Sequence, residues 1–109
     1  MFVKVYRYHI RPDKEEAFLA MQERAGAVYK KHVHYRTVYL KSEDDPGLWL
    51  EIQWCRDKET YQRAMALINA LPGIEQLWKE FQLLLDPEKT DIKDECFHQI
   101  HSEGDQSLI

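Results

Sequence analysis

Polar and apolar positions change period several times along the chain, and each change marks an element. Residues 2–10, FVKVYRYHI, are rich in Val, Tyr, Phe and Ile, the residue types that suit a pleated surface, so they predict a strand. Pro12 ends it. Asp13 and Glu16 then have the spacing of an Asp-type capping box. Apolar positions follow at steps of three and four, at Phe18, Met21, Ala25 and Val28, with His32 closing the series. That is one stripe of an amphipathic helix. Residues 33–41 predict a second strand and residues 48–55 a third. EDDPG lies between them, with the Asp, Pro and Gly that a tight turn needs. A second helix starts at a cap near Asp57 and presents Tyr61, Ala64, Met65, Ile68 and Leu71 on one face. Pro72 and Gly73 break it. A third helical piece over residues 74–85 carries Ile74, Leu77, Trp78, Phe81 and Leu84 at helical spacing. Residues 91–100 predict the last strand.

This order is βαββαβ, the split arrangement of an α+β ferredoxin-like fold with a four-stranded antiparallel sheet. Right-handed crossovers place strands one and three in the middle of the sheet, flanked by four and two. The helices then cover one face and leave the other open. Residues 1–100 form one domain. Residues 101–109 are a polar tail expected to be disordered.

Strand parity divides each strand between the two faces. On strand three the wholly apolar set Leu48, Leu50, Ile52 and Trp54 is expected under the helices. The mixed set Trp49, Glu51, Gln53 and Cys55 is expected on the open side. On strand one, Tyr6, Tyr8 and Ile10 suit the helix side, because a buried tyrosine needs only a partner for its hydroxyl. Arg7 and His9 suit the open side, because burying an unpaired charge is costly. There they would neighbour Glu51 and Gln53. The open face would still expose Val3, Val5, Trp49 and Cys55, which predicts a homodimer formed through the helix-free sheet face.

A net charge of −4 argues against nucleic acid or an anionic membrane as partner. No apolar run approaches the length of a membrane span, and the N-terminus lacks the apolar centre of a signal peptide. Cys55 and Cys96 form no CxxC pair and are expected to be free, buried thiols in a cytoplasmic protein.

The hairpin ending WLEIQWCRDKETYQRA, followed by LPGIEQLWKEF, resembles the antibiotic-biosynthesis monooxygenase family of dimeric α/β barrels. The resemblance runs over about residues 2–100. It implies a reactive cleft between sheet and helices. It also implies one of two activities: cofactor-free oxygenation of aromatic compounds, or haem degradation. By the same resemblance Trp54 matches the strand tryptophan of the haem-degrading branch. That branch also uses a first-strand asparagine and a histidine in the second helical region. Here the first-strand position is Tyr6, and residues 61–85 contain no histidine.

The expectation is therefore a small monooxygenase with no cofactor and no metal, acting on an aromatic or quinone-like compound held by Tyr6, Tyr8 and Trp54. His9, Arg7 and Glu51 are the candidates for proton transfer and orientation. A non-catalytic homodimer that holds a small apolar ligand is the alternative, as is haem bound through another histidine such as His9. His32, His34, His98 and His101 lack a carboxylate or thiolate in register and make a weak metal site. Four glycines are too few for a phosphate-cradling loop, and no nucleophile elbow is present.

Overall fold

The computed structural model describes residues 1–108. Strand β1 is Phe2–His9, and Pro12–Lys14 forms a short 3-10 turn leading into helix α1, Glu15–Tyr29. Strands β2, Tyr35–Lys41, and β3, Leu48–Cys55, make a hairpin. Helices α2, Lys58–Asn69, and α3, Ile74–Leu84, follow, and β4 is Lys93–His98. The sheet order is β2-β3-β1-β4 with every pair antiparallel, as the crossover argument requires. The described residues contain no helix long and apolar enough to cross a membrane. A second 3-10 turn, Gln106–Leu108, lies in the tail.

Local chemistry explains most boundaries. Asp57 caps α2, its Oδ1 accepting the Thr60 backbone N–H at 2.7 Å. Gly73 begins α3 from a left-handed conformation, φ 88°, which a residue with a Cβ adopts only with strain. In the β2–β3 turn, Asp45 Oδ1 accepts the Gly47 N–H, and Ser42 Oγ accepts the Asp45 N–H. The start of α1 differs from expectation. Asp13 makes no capping hydrogen bond, because it lies inside the 3-10 turn that the Lys14 N–H closes onto the Arg11 carbonyl.

The helices cover one face of the sheet over two dry clusters. Tyr8, Ile10, Phe18, Met21, Trp49, Phe81 and Leu85 form the first. Phe2, Val33, Cys55, Tyr61, Ala64 and Ile68 form the second. Rings meet edge to face in the first, with Tyr8 and Phe81 5.0 Å apart at 87°.

Strand β3 faces the opposite way from the sequence expectation. Trp49, Glu51, Gln53 and Cys55 are the buried set under the helices, and Leu48, Leu50, Ile52 and Trp54 lie on the helix-free side. The register requires it: Tyr6 stands across from Glu51 and Tyr8 from Trp49, so these four share a face. Arg7 and His9 are on the helix-free side as expected, but opposite Leu50 and Leu48 rather than beside Glu51 and Gln53. Cys55 is buried beneath α2, whereas Cys96, expected to be buried, is exposed on edge strand β4.

Candidate active site

Between the two clusters the inner face of the sheet turns polar, and a cavity of about 480 Å³ opens there. Strands β1 to β3 supply its floor through Tyr6, Tyr8, Tyr35, Tyr39, Glu51 and Gln53. Helix α1 supplies Gln22 and Tyr29, and α3 supplies Leu77, Trp78 and Phe81. Five of the six tyrosines of the chain line it, and the sixth, Tyr61, bonds to two lining residues. The third helical piece therefore leaves the interior unfilled. Phe81 is buried and Trp78 stacks on it at 5.6 Å, half exposed at the cavity edge.

One hydrogen-bonded network runs through the floor. Glu51, 8% exposed, is its centre. Its Oε1 accepts the Tyr8 hydroxyl at 2.8 Å and, more loosely, Gln22 Nε2 at 3.5 Å. Its Oε2 accepts Gln53 Nε2 at 2.7 Å. Gln53 Oε1 accepts the Tyr61 hydroxyl at 3.1 Å, and Tyr61 and Tyr6 share a hydrogen bond of 2.9 Å. On the other side the Tyr39 hydroxyl donates to Gln22 Oε1 at 3.0 Å. Every partner of Glu51 is uncharged, so no cation offsets its desolvation. Burial raises its pKa above the ordinary carboxyl value, opposed by the Tyr8 and Gln53 hydrogen bonds. Burial raises the tyrosines too, with the Glu51 charge adding to it. Tyr29 is pushed up to about 12, and Tyr8 and Tyr39 also rise. The tyrosines are therefore neutral hydroxyls at physiological pH, and Glu51 is the buried carboxyl group among them.

The sequence candidates thus divide. Tyr6, Tyr8 and Glu51 meet in the cavity. Trp54 does not: it lies on the helix-free face, with the Arg36 guanidinium 5.8 Å from its ring centroid. Arg7 is exposed on that same face. His9 Nε2 lies 3.1 Å from Asp45 Oδ2 in the turn, so the haem reading through His9 would put iron outside the cavity. Among the described residues no histidine lines the cavity. Gln22, Gln53, Tyr29, Tyr35 and Tyr39 were missed. A readable signal existed for the strand residues. Tyr6 and Tyr8 on β1 and Tyr35 and Tyr39 on β2 each repeat at even spacing, which puts each pair on one face of its strand.

No protein-family model matches this chain, and no curated protein matches it. Solved structures do. A variant of SnoaB, a cofactor-independent oxygenase from Streptomyces nogalater, superposes with a TM-score of 0.71 at 17% identity, covering 93% of this chain and 94% of that one. An uncharacterized NIPSNAP domain protein from Burkholderia xenovorans gives 0.75 at 13% identity, covering 96% and 100%. An antibiotic biosynthesis monooxygenase gives 0.67 at 14% identity, covering 93% and 100%. At these identities the likeness is one of fold: this chain shares the ferredoxin-like fold of these structures.

Proposed function

We propose that this domain is a small oxygenase that needs no cofactor and oxidises a hydroxylated aromatic compound in the tyrosine-lined cavity. The observation that carries the reading is Glu51: a carboxyl group buried among hydroxyls and amides, opening onto a space of 480 Å³. A desolvated carboxylate is a stronger base than one in water. It takes the proton from a substrate hydroxyl, leaving an electron-rich phenolate between aromatic walls. The phenolate ring then supplies all the electrons for O2. One oxygen atom bonds to a ring carbon that loses its hydrogen, the other leaves as water, and the product is a quinone. Tyr6, Tyr8 and Gln53 hold Glu51 and the substrate oxygen in register. SnoaB, described as a cofactor-independent oxygenase on the same fold, supports the reaction class.

The second part of the proposal is a homodimer through the helix-free face. Val5, Val38, Leu48, Leu50, Ile52 and Trp54 share that face, each half-buried within the single chain. An apolar cluster of this kind, flanked on the same face by Arg7, His9 and Arg36, is stabilised by a second copy.

The test is oxygen uptake with a panel of hydroxyarenes. Wild-type protein is expected to consume one O2 per quinone formed. Glu51→Gln, which keeps the shape and loses the base, is expected to lower kcat by roughly 10²-fold. A flat oxygen trace across the whole panel would reject the reading.

A further inference from the structure

Two carboxyl groups, Glu51 and Glu75, line the cavity, and among the described residues no Lys, Arg or His does. Glu75 lies at the mouth and already faces Lys79 at 3.5 Å. Outside the lining, Lys4 is held by Asp94 at 3.0 Å, and Arg24 is engaged with Glu80. Among the described residues Glu51 accepts hydrogen bonds from Tyr8, Gln22 and Gln53 alone.

Proton transfer does not cure this imbalance. Glu51 carboxylate plus a hydroxyarene gives Glu51 carboxylic acid plus a phenolate, so one negative charge stays in the cavity before and after. The walls add to the same field. Seven lining residues are aromatic, and the face of an aromatic ring is its negative side. The Lys4 ammonium already stands over the Tyr6 ring, 5.6 Å from its centroid, so one wall ring has a cation on it.

We propose that the substrate supplies the missing countercharge: it is a hydroxyarene bearing an ammonium group, and the cavity rejects aromatic carboxylates and other anions. The cation sits among the tyrosine faces and offsets the charge that moves between Glu51 and the substrate oxygen. This inference rests on the cavity being the substrate site proposed above.

Its test separates binding from turnover. Phenyltrimethylammonium, its uncharged isostere tert-butylbenzene, and benzoate are titrated while tryptophan fluorescence is followed, since Trp78 lines the cavity. The ammonium probe is expected to bind roughly 10-fold more tightly than the isostere, with benzoate weakest. That advantage is expected to shrink in Glu51→Gln. Equal or tighter binding of the isostere, a preference for benzoate, or no binding of the ammonium probe overturns the inference. So does an advantage undiminished in Glu51→Gln. The wild-type comparison of the three probes stands alone should that variant not fold. Because no probe is a hydroxyarene, oxygen uptake is read independently. Uptake with uncharged hydroxyarenes beside a failed ammonium preference refutes the charge assignment and leaves the oxygenase reading standing. Ammonium preference with flat oxygen traces upholds the charge assignment and removes the oxygenase.

Discussion

In the proposed reaction a single residue, Glu51, carries most of the chemistry, and its environment makes two demands. The first concerns rate. The carboxylate is the active form, so kcat/KM is expected to rise with pH through a pKa above 4.5, the ordinary carboxyl value. The Tyr8 hydroxyl stabilises the carboxylate, so Tyr8→Phe should move that limb to still higher pH. A limb that stays in place would show that Tyr8 does not tune the base. The second concerns stability. The folded-state pKa of Glu51 is raised, so its native site binds the proton more tightly than the unfolded chain does. Its contribution is therefore fully present below pH 4.5 and is lost as pH rises through the folded value. Glu51→Gln has no such loss. Urea midpoints of the two proteins are expected to diverge as pH rises, with the variant the more stable.

Among the elements, α2 illustrates how a local cap and a tertiary site depend on one another. Asp57 holds the Thr60 N–H, and the capped helix aims Tyr61 at Gln53 and Tyr6. The Thr60 hydrogen bonds, with Arg56 alongside, lower the Asp57 pKa to about 2. This lowered value reverses the sign found for Glu51. The stabilisation is present above pH 3.8 and is lost as pH falls through about 2. Asp57→Ala is expected to lower the thermal midpoint at neutral pH by several degrees. The deficit should vanish in strong acid, where the wild-type cap is protonated as well. Circular dichroism melts at the two pH values check this, and a deficit of the same size at both would contradict it. The helices themselves were legible from spacing: Tyr61, Ala64 and Ile68 are the buried face of α2, and Phe18 and Met21 that of α1. The entry to α1 was not, because a Pro-led turn reproduces the composition of a capping box without its geometry.

On the scale of the whole molecule, the sheet has two faces of unequal character. The helix side contains a polar cavity, and the free side is the more apolar of the two along β3. The proposed dimer makes sense of the inversion, since a face meant for a second copy must be as dry as a core. Light scattering after size exclusion is expected to give twice the chain mass. Leu50→Lys combined with Ile52→Lys puts two charges on the free face of β3, and should give a folded monomer. A wild-type monomer at micromolar concentration would contradict the dimer. A dimer that persists in the double variant would place the interface elsewhere.

Periodicity, turn residues and crossover handedness were enough to determine the strands, the helices and the order β2-β3-β1-β4, because each depends on local spacing or on a chirality common to all chains. Parity along β3 also separated Glu51 and Gln53 from Leu50 and Ile52 correctly. It could not say which set lies inward, because a period of two reports that two faces differ and not where the helices sit. The tertiary structure decided that through the pairing of Tyr6 with Glu51 and Tyr8 with Trp49. The same pairing removed Trp54 from the site, and the packing of α1 over the sheet brought in Gln22. The cavity belongs to the tertiary level as well: whether Trp78 and Phe81 fill the space or frame it depends on how three helices and a sheet close over one another, which no single segment encodes.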